Sequence, residues 1–496
     1  MILPLFVIVP LATAFLVALF ADKIKHLGDV LTTLAAAFLL GLSLYAAIAV
    51  GHTGVLVAMM GGWPPPVGIC LVGDGLSVFM LVIVNLIAFL AMLYSVNYMN
   101  LYTAKWKFHA LFMLMLTGMA GVIVSGDLFN LYIFLEIASV AGYCLVAFGT
   151  DAQELEAAFR YAIMGAVASL FILLGVALLY SYTSTLNLAD MALVLAQKEK
   201  GMVITFVSVL FLAGFGLKAA LVPCHAWLPD AHSSAPAPIS AMLSGVFIKT
   251  IGIYAMIRIF FNIFGITDAY LSVLMVLGVV SMLVAVVLAL GQWDLKRLLA
   301  YHSISQIGYI VLGIGLGTPL GVLGGLFHLF NHSVFKSLLF LNSGAVDYSV
   351  GTRNLKEMSG LREKMPVTAG TSFVASMSIS GIPPFNGFFS KLIIILACIQ
   401  KGCIWYAFAA VIGSILTLVS FTKVQKYAFF GKLKEKYADI KEVPLFMKFS
   451  MVVLAVICVL AGLLLLPPFK FFLNDAARVL LAGKEYASAV LTATLK

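Results

Sequence analysis

Charge is what this sequence has least of. Asp, Glu, Lys and Arg make up 10 % of its 496 residues, against 63 % for the hydrophobic types. A soluble surface needs far more charge, so a water-soluble domain is excluded. Cysteine is scarce too: Cys70, Cys144, Cys224, Cys398, Cys403 and Cys458 are scattered, with no C-x-x-C pair. That spacing argues against iron–sulfur and structural zinc sites, and no haem-attachment motif is present. The glycine-rich "GIGLGTPLG" lies at the end of an apolar run with no strand before it, so it is no nucleotide loop. A transport protein without a cofactor or redox centre of its own is expected. The opening "MILPLFVIVPLATAFLVALF" has no basic residue ahead of it and no clear cleavage site, and reads as a retained first span rather than a signal peptide.

What the chain has is long apolar runs, many of roughly 18 residues or more. The hydropathy pattern fits about fourteen spans and an all-α polytopic membrane fold. The expected segments are 2–20, 30–50, 75–98, 108–125, 127–148, 158–182, 202–222, 238–260, 270–290, 300–316, 321–345, 367–399, 404–422 and 447–467. Odd-numbered loops and the adjoining span ends carry eighteen Lys and Arg, even-numbered loops four. By the positive-inside rule the odd loops are cytoplasmic and both termini lie on the other side of the cell membrane. The net charge of +9 is therefore topological, and no nucleic-acid partner is expected. Residues 61–75, "GGWPPPVGICLVGDG", read as a rigid exterior loop. The tail "FKFFLNDAARVLLAGKEYASAVLTATLK" reads equally as an amphipathic helix on a membrane or partner and as a loosely ordered end.

Two spans contain helix breakers deep in the apolar zone. Pro223 interrupts the seventh, and Gly381, Pro383, Pro384 and Gly387 interrupt the twelfth. Proline removes an amide donor, and the carbonyls it frees must meet protein or water. The breaks lie five spans apart. Helices 4–8 (108–260) and 9–13 (261–430) thus form two five-helix units, and an odd number of spans makes the repeat inverted. Residues 1–107 supply helices 1–3, and 431–496 helix 14 with the tail. Simple bending at proline is the competing reading, but a lysine, Lys218 or Lys391, stands within eight residues of each break.

Five ionisable side chains sit within spans: Glu136, Lys218, Lys249, Lys336 and Lys391. Each costs roughly 2.5–3.5 kcal/mol at a helix centre on the insertion scale. Tyr132, Glu136, Ser139 and Tyr143 form one polar stripe on span five. Small residues Ser240, Ser244 and Gly245 near Lys249 allow close helix approach. His328, His332 and Lys336 recur at i, i+4 and i+8, a titratable column on one face. Such a histidine pair can hold a metal, but no acidic or cysteine ligand lies near it on the helix and a lysine continues the column. A proton relay is preferred to a metal site or a purely structural column. His302, with Ser305, Gln306 and Tyr309, gives span ten a second stripe. His225 and His232, beside the first break, have weaker claims. All four deeply placed bases are lysine, which can release a proton where arginine does not.

Four motifs in one order carry a resemblance: "GDLFNLYIFLEIAS", "GLKAALVPCHAWLPDAHSSAPAPISAMLSGVFIKTIGIY", "DLKRLLAYHSISQIGY" and "GIPPFNGFFSKL". They resemble the antiporter-like subunits shared by Mrp-type cation/proton antiporters, membrane-bound hydrogenases and respiratory complex I. Within that family the likeness is strongest to the D-type Mrp subunit and its hydrogenase counterpart. The resemblance implies fourteen helices, two inverted five-helix repeats with discontinuous helices 7 and 12, and a hydrated axis along the membrane. By motif, Glu136 and Lys218 look like the coupled pair of the first half-channel and Lys249 like the connecting lysine. His332 and Lys336 look like the central relay, and Lys391 like the terminal lysine, where some relatives have glutamate. It also implies partners: smaller membrane subunits of an Mrp-like or hydrogenase-like complex. Protons are the expected cargo and sodium a further candidate. The competing readings are a pumping subunit of a complex I-type oxidoreductase and a solitary antiporter.

Overall fold

The computed structural model describes residues 2–198, 201–467, 470–483 and 485–494. The chain begins with α1 (Leu5–Phe20), α2 (Leu27–Thr53) and α3 (Gly75–Tyr98). Between the last two, β1 (Val55–Met59) pairs antiparallel with β2 (Cys70–Asp74), so part of the expected exterior loop is a hairpin strand. Next come α4 (Lys105–Val124), α5 (Leu128–Val146), α6 (Ala152–Thr183) and a short α7 (Leu188–Gln197). Then follow α8 (Met202–Lys218), α9 (Trp227–Ser234) and α10 (Ala237–Ile263). After these come α11 (Asp268–Leu290), α12 (Leu295–Gly315) and α13 (Pro319–Val350). The chain continues through α14 (Pro366–Ser380), α15 (Asn386–Gln400) and α16 (Ile404–Phe429). Last are α17 (Leu445–Leu465), α18 (Phe471–Leu481) and α19 (Glu485–Thr494).

Among the described residues, ten helices are long and apolar enough to cross a membrane. The other four expected segments are helical as well. They are α1, the histidine-bearing α13, and the two interrupted spans, α8 with α9 and α14 with α15.

The backbone uses one device twice. Asp127 caps α5 by accepting from the Asn130 amide, and Asp294 caps α12 by accepting from the Arg297 amide, both at 2.8 Å. Beside the first cap, Leu128 N–H donates to Leu186 O at 2.8 Å and Leu188 N–H to Gly126 O at 2.9 Å. Beside the second, Leu295 N–H donates to Arg353 O at 3.0 Å and Leu355 N–H to Trp293 O at 2.9 Å. Each bridge ties the start of one helix to the residues just past the end of the next. The two bridges are built alike, one at the start of α5 and one at the start of α12.

Both breaks occur where the sequence puts its breakers. The α8 helix stops at Lys218, and Trp227 Nε1 joins the Ala220 amide on the Leu217 carbonyl, each at 3.1 Å. The α14 helix stops at Ser380, and Gly381 takes the left-handed φ of 78° that only glycine adopts without strain. Ser414 Oγ then donates to the freed Ser380 carbonyl at 2.7 Å. Gly387 lies against the Ser378 carbonyl with no room for a Cβ. The α10 helix has no proline beyond its first turn, yet it widens into π turns over Leu243–Phe247, Lys249–Tyr254 and Arg258–Ile263.

The tail packs on its own chain. Asn262 Nδ2 donates to Val479 O at 2.8 Å, and the Arg258 guanidinium lies between the rings of Tyr254 and Tyr486, at 5.4 and 5.0 Å. Arg258 also grips Asp74 through two bonds of 2.7 and 2.8 Å. Hairpin, α3, α10 and α19 are thereby knotted together at one face.

Candidate functional site

The first break brings Lys218 to Glu136. Lys218 Nζ lies 3.7 Å from Glu136 Oε1, while its closer partner is Ser139 Oγ at 2.9 Å, with Tyr143 OH at 3.5 Å. Ser169 Oγ donates to the Glu136 carboxylate. This is a loose ion pair, with hydroxyls filling the positions a tight pair would leave to the partner charge. The lysine side chain is 1 % exposed and the glutamate 31 %. Glu136 is therefore less deeply buried than its mid-span position suggests. It opens on the outer side of α5, with exposed Ile133 and Val140 a turn to either side.

The other three lysines have no carboxylate beside them and are held by neutral acceptors. Lys249 Nζ donates to the Ser244 and Gly245 carbonyls at 2.6 and 2.5 Å, oxygens made accessible where the α10 helix widens. Close approach follows the small residues: Ser244 Oγ is 2.6 Å from Ser303 Oγ on α12. Lys336 donates to the Leu299 carbonyl on α12. Lys391 donates to the Ile379 carbonyl at 2.7 Å and to Ser414 Oγ at 3.3 Å, with the Tyr309 ring 4.7 Å below its ammonium. An ammonium so placed keeps its hydrogen bonds, and a neutral amine can still donate to the same carbonyls.

The histidine column is present on α13. The His328 and His332 rings stack with centroids 6.3 Å apart. His328 Nδ1 is 2.9 Å from Ser390 Oγ, and its Nε2 has no partner. Neither ring nitrogen of His332 has one. On α12, His302 Nε2 is 2.8 Å from Ser420 Oγ and its Nδ1 is unpartnered. All three histidines are fully buried. The Tyr309 ring lies 5.4 Å from the His328 ring and 4.7 Å from the Lys391 ammonium. The central and terminal groups thus share one polar tract, whereas no direct hydrogen bond among the described residues joins Lys218 to Lys249.

Two polar groups in that tract, Asn331 and Asn386, escaped the sequence reading, and Gln306 entered it only as part of the stripe beside His302. All three are buried, with Gln306 and Asn386 wholly unpartnered in their side chains and Asn331 lacking a donor to its oxygen. His232, rated weakly from sequence, is fully buried with both ring nitrogens unpartnered. His225 instead lies near the surface, 3.3 Å from Pro223 O. Native interiors rarely leave such groups without partners, and their concentration here marks a tract that suits ordered water.

Comparison with known proteins follows the same outline. Residues 125–417 match the family model described as NADH:quinone oxidoreductase/Mrp antiporter, transmembrane, and residues 66–109 match the complex I chain 5 N-terminus. The chain is 34 % identical to the D-type subunit of the Na(+)/H(+) antiporter of Alkalihalophilus pseudofirmus, over 96 % of this chain and 97 % of that one. It is 40 % identical to the N-type subunit of the NADH-quinone oxidoreductase of Desulforudis audaxviator, over 75 % of each. A chain in the solved Mrp complex from Dietzia superposes with a TM-score of 0.92 at 30 % identity, covering 99 % of both.

Proposed function

The chain belongs to the family of antiporter-like membrane subunits shared by NADH:quinone oxidoreductases and Mrp antiporters, and from that premise we propose that it moves protons along the Glu136–Lys218–Lys249–His332/Lys336–Lys391 row. It is a multi-pass subunit of a larger membrane complex. The observation that carries the proposal is the loose pair at the first break, with Lys218 3.7 Å from Glu136 beside a helix that ends at that same residue.

A buried lysine gives up its proton more readily, and a nearby carboxylate holds the proton on. Small motion at the break changes that distance and hence the proton's residence. Moving one charge across 100 mV is worth about 2.3 kcal/mol, the same scale as a shift of under two pKa units. His328, His332 and His302 then offer nitrogen atoms at which water can hand a proton onward toward Lys391. The asymmetric basic charge supports an orientation with the 21–29, 99–107, 291–299, 346–366 and 423–446 loops in the cytoplasm. The exposed flank of Glu136 would be covered by a neighbouring subunit.

Sodium exchange is the favoured driving process, because the relative matched over nearly its whole length belongs to a Na(+)/H(+) antiporter. A redox-driven complex is the second reading, favoured by the 40 % identity to a component of a quinone oxidoreductase. Mass spectrometry of the co-purified subunits separates the two. The function itself is tested by Lys218→Ala in the assembled complex, with proton movement followed by a pH-sensitive dye. Loss of transport is expected, and transport at the native rate would remove Lys218 from the mechanism.

A further inference from the structure

One face of α14 plays no part in the row above. Thr368, Ser372, Ser376 and Ser380 recur there every fourth residue, which stacks them in one column, and all four are buried. The column starts at a carboxylate: Thr368 Oγ1 donates to Glu442, in the loop before α17, at 2.7 Å. It finishes at a lysine. Ser414 Oγ donates to Ser380 O at 2.7 Å and accepts from Lys391 at 3.3 Å.

Successive hydroxyls in such a column stand about 6 Å apart along the axis, too far to touch but within the span of one water. Gln425 bridges the middle gap directly. Its Nε2 donates to Ser372 Oγ at 3.1 Å and to Ser376 Oγ at 2.8 Å, while its buried carbonyl oxygen is unpartnered. A cavity of about 410 Å³ reaches Gln425 from the start of α14, with Arg362 and Glu363 in its wall. A second, of about 250 Å³, is lined by Ser380, Gly381, Lys391 and Ser414 among apolar side chains. Ser376 lies between the two.

The ordinary role of a membrane serine is to bond the carbonyl one turn back. Ser380 does so, to Ser376 O at 2.7 Å. Ser372 and Ser376 instead receive the Gln425 amide, and packing alone gives no reason to bury that carboxamide with its oxygen unmet.

We propose, given proton transfer at Lys391, that Thr368, Ser372, Gln425, Ser376, Ser380 and Ser414 line a hydrated side passage between Lys391 and the membrane face bearing Glu442. Each hydroxyl or water in it accepts one proton as it releases another, so the passage carries a proton between that face and Nζ without net chemistry. Gln425 orients the water and carries no charge itself.

The test uses the assembled complex in sealed vesicles and a charged, membrane-impermeant thiol reagent applied to the face bearing Glu442. Ser376→Cys is compared with Val419→Cys, whose position on α16 is 54 % exposed on the outer surface and lines neither cavity. Above the native background, Ser376→Cys should react at least tenfold faster. Equal rates overturn the passage, and they do so whether or not Lys391 carries protons. Proton movement supplies the second arm. Ser376→Val, which fills the site without a hydroxyl, should lower it at least fivefold, and Ser376→Thr should keep it. A Ser376→Val complex that assembles and transports at the native rate overturns the proposal as well.

Discussion

At the scale of single residues, the lysines differ in what stands beside them. Lys218 has Glu136 within 3.7 Å, whereas Lys249, Lys336 and Lys391 face carbonyls, hydroxyls and aromatic rings but no carboxylate. If proton release matters and fixed charge does not, Lys218→Arg should assemble normally yet lose at least tenfold of proton movement in the dye assay, because guanidinium keeps its proton. The Arg258–Asp74 pair is the opposite case, two fully hydrogen-bonded charges with no proton to pass. Burial pushes the Asp74 carboxyl up, but the Arg258 guanidinium and the Ser77 bonds outweigh it and hold it below the ordinary carboxylate range. A carboxyl lowered in the folded state stabilises at every pH above its unfolded value, near 3.9, and that contribution fades only as pH falls further. Melting of the purified complex should therefore show no loss from this pair between pH 8 and about pH 5. Asp74→Ala, which strands the guanidinium, should cost about 3–5 kcal/mol. Charged residues were legible in the sequence because nothing but use or pairing explains them in lipid. Asn331 and Asn386 were not, since amides and hydroxyls in a membrane helix look the same whether they pack, bond backwards or hold water.

At the scale of elements, the two breaks were readable and the widened helix was not. Proline and glycine announce a break, because one lacks a donor and the other tolerates a left-handed backbone. The π turns around Lys249 contain Gly245 and Gly252 but no proline, and a glycine in a membrane helix marks close helix approach as readily as a change of turn. The β1–β2 hairpin and α7 were missed for a related reason, being too short and too apolar to stand out beside spans. Gly381→Ala should destabilise by about 1–2 kcal/mol, the penalty for a side chain in the left-handed region. Its check is the midpoint of thermal aggregation in detergent. Glu442 accepts from the Val367 and Thr368 amides at 2.8 and 3.2 Å, which makes it a cap supplied to α14 from a distant loop. Glu442→Ala should cost about 1 kcal/mol by the same measurement.

For the whole molecule, the C-terminal helices are a clasp rather than a tail. They cover β1 and place Tyr486 against Arg258, so deleting α18 and α19 uncovers the ion pair together with its apolar surround. The shortened chain should melt several degrees lower and assemble in smaller yield, as read by size-exclusion of the tagged complex. Amphipathic spacing alone could not reveal this, because a helix with one apolar face fits a membrane, a partner or its own chain equally. The repeated backbone bridges matter differently. The Leu128–Leu186 and Leu295–Arg353 bonds each shut the open end of a two-helix loop whose other end is already a covalent turn. Helical hairpins sewn shut at both ends resist splaying, so displacement during a transport cycle has to be absorbed by segments outside the stitching. The stretches at 219–226 and 381–385 each follow such a frame along the chain and lie outside it, which makes each a joint in a rod held beside a stiff fork.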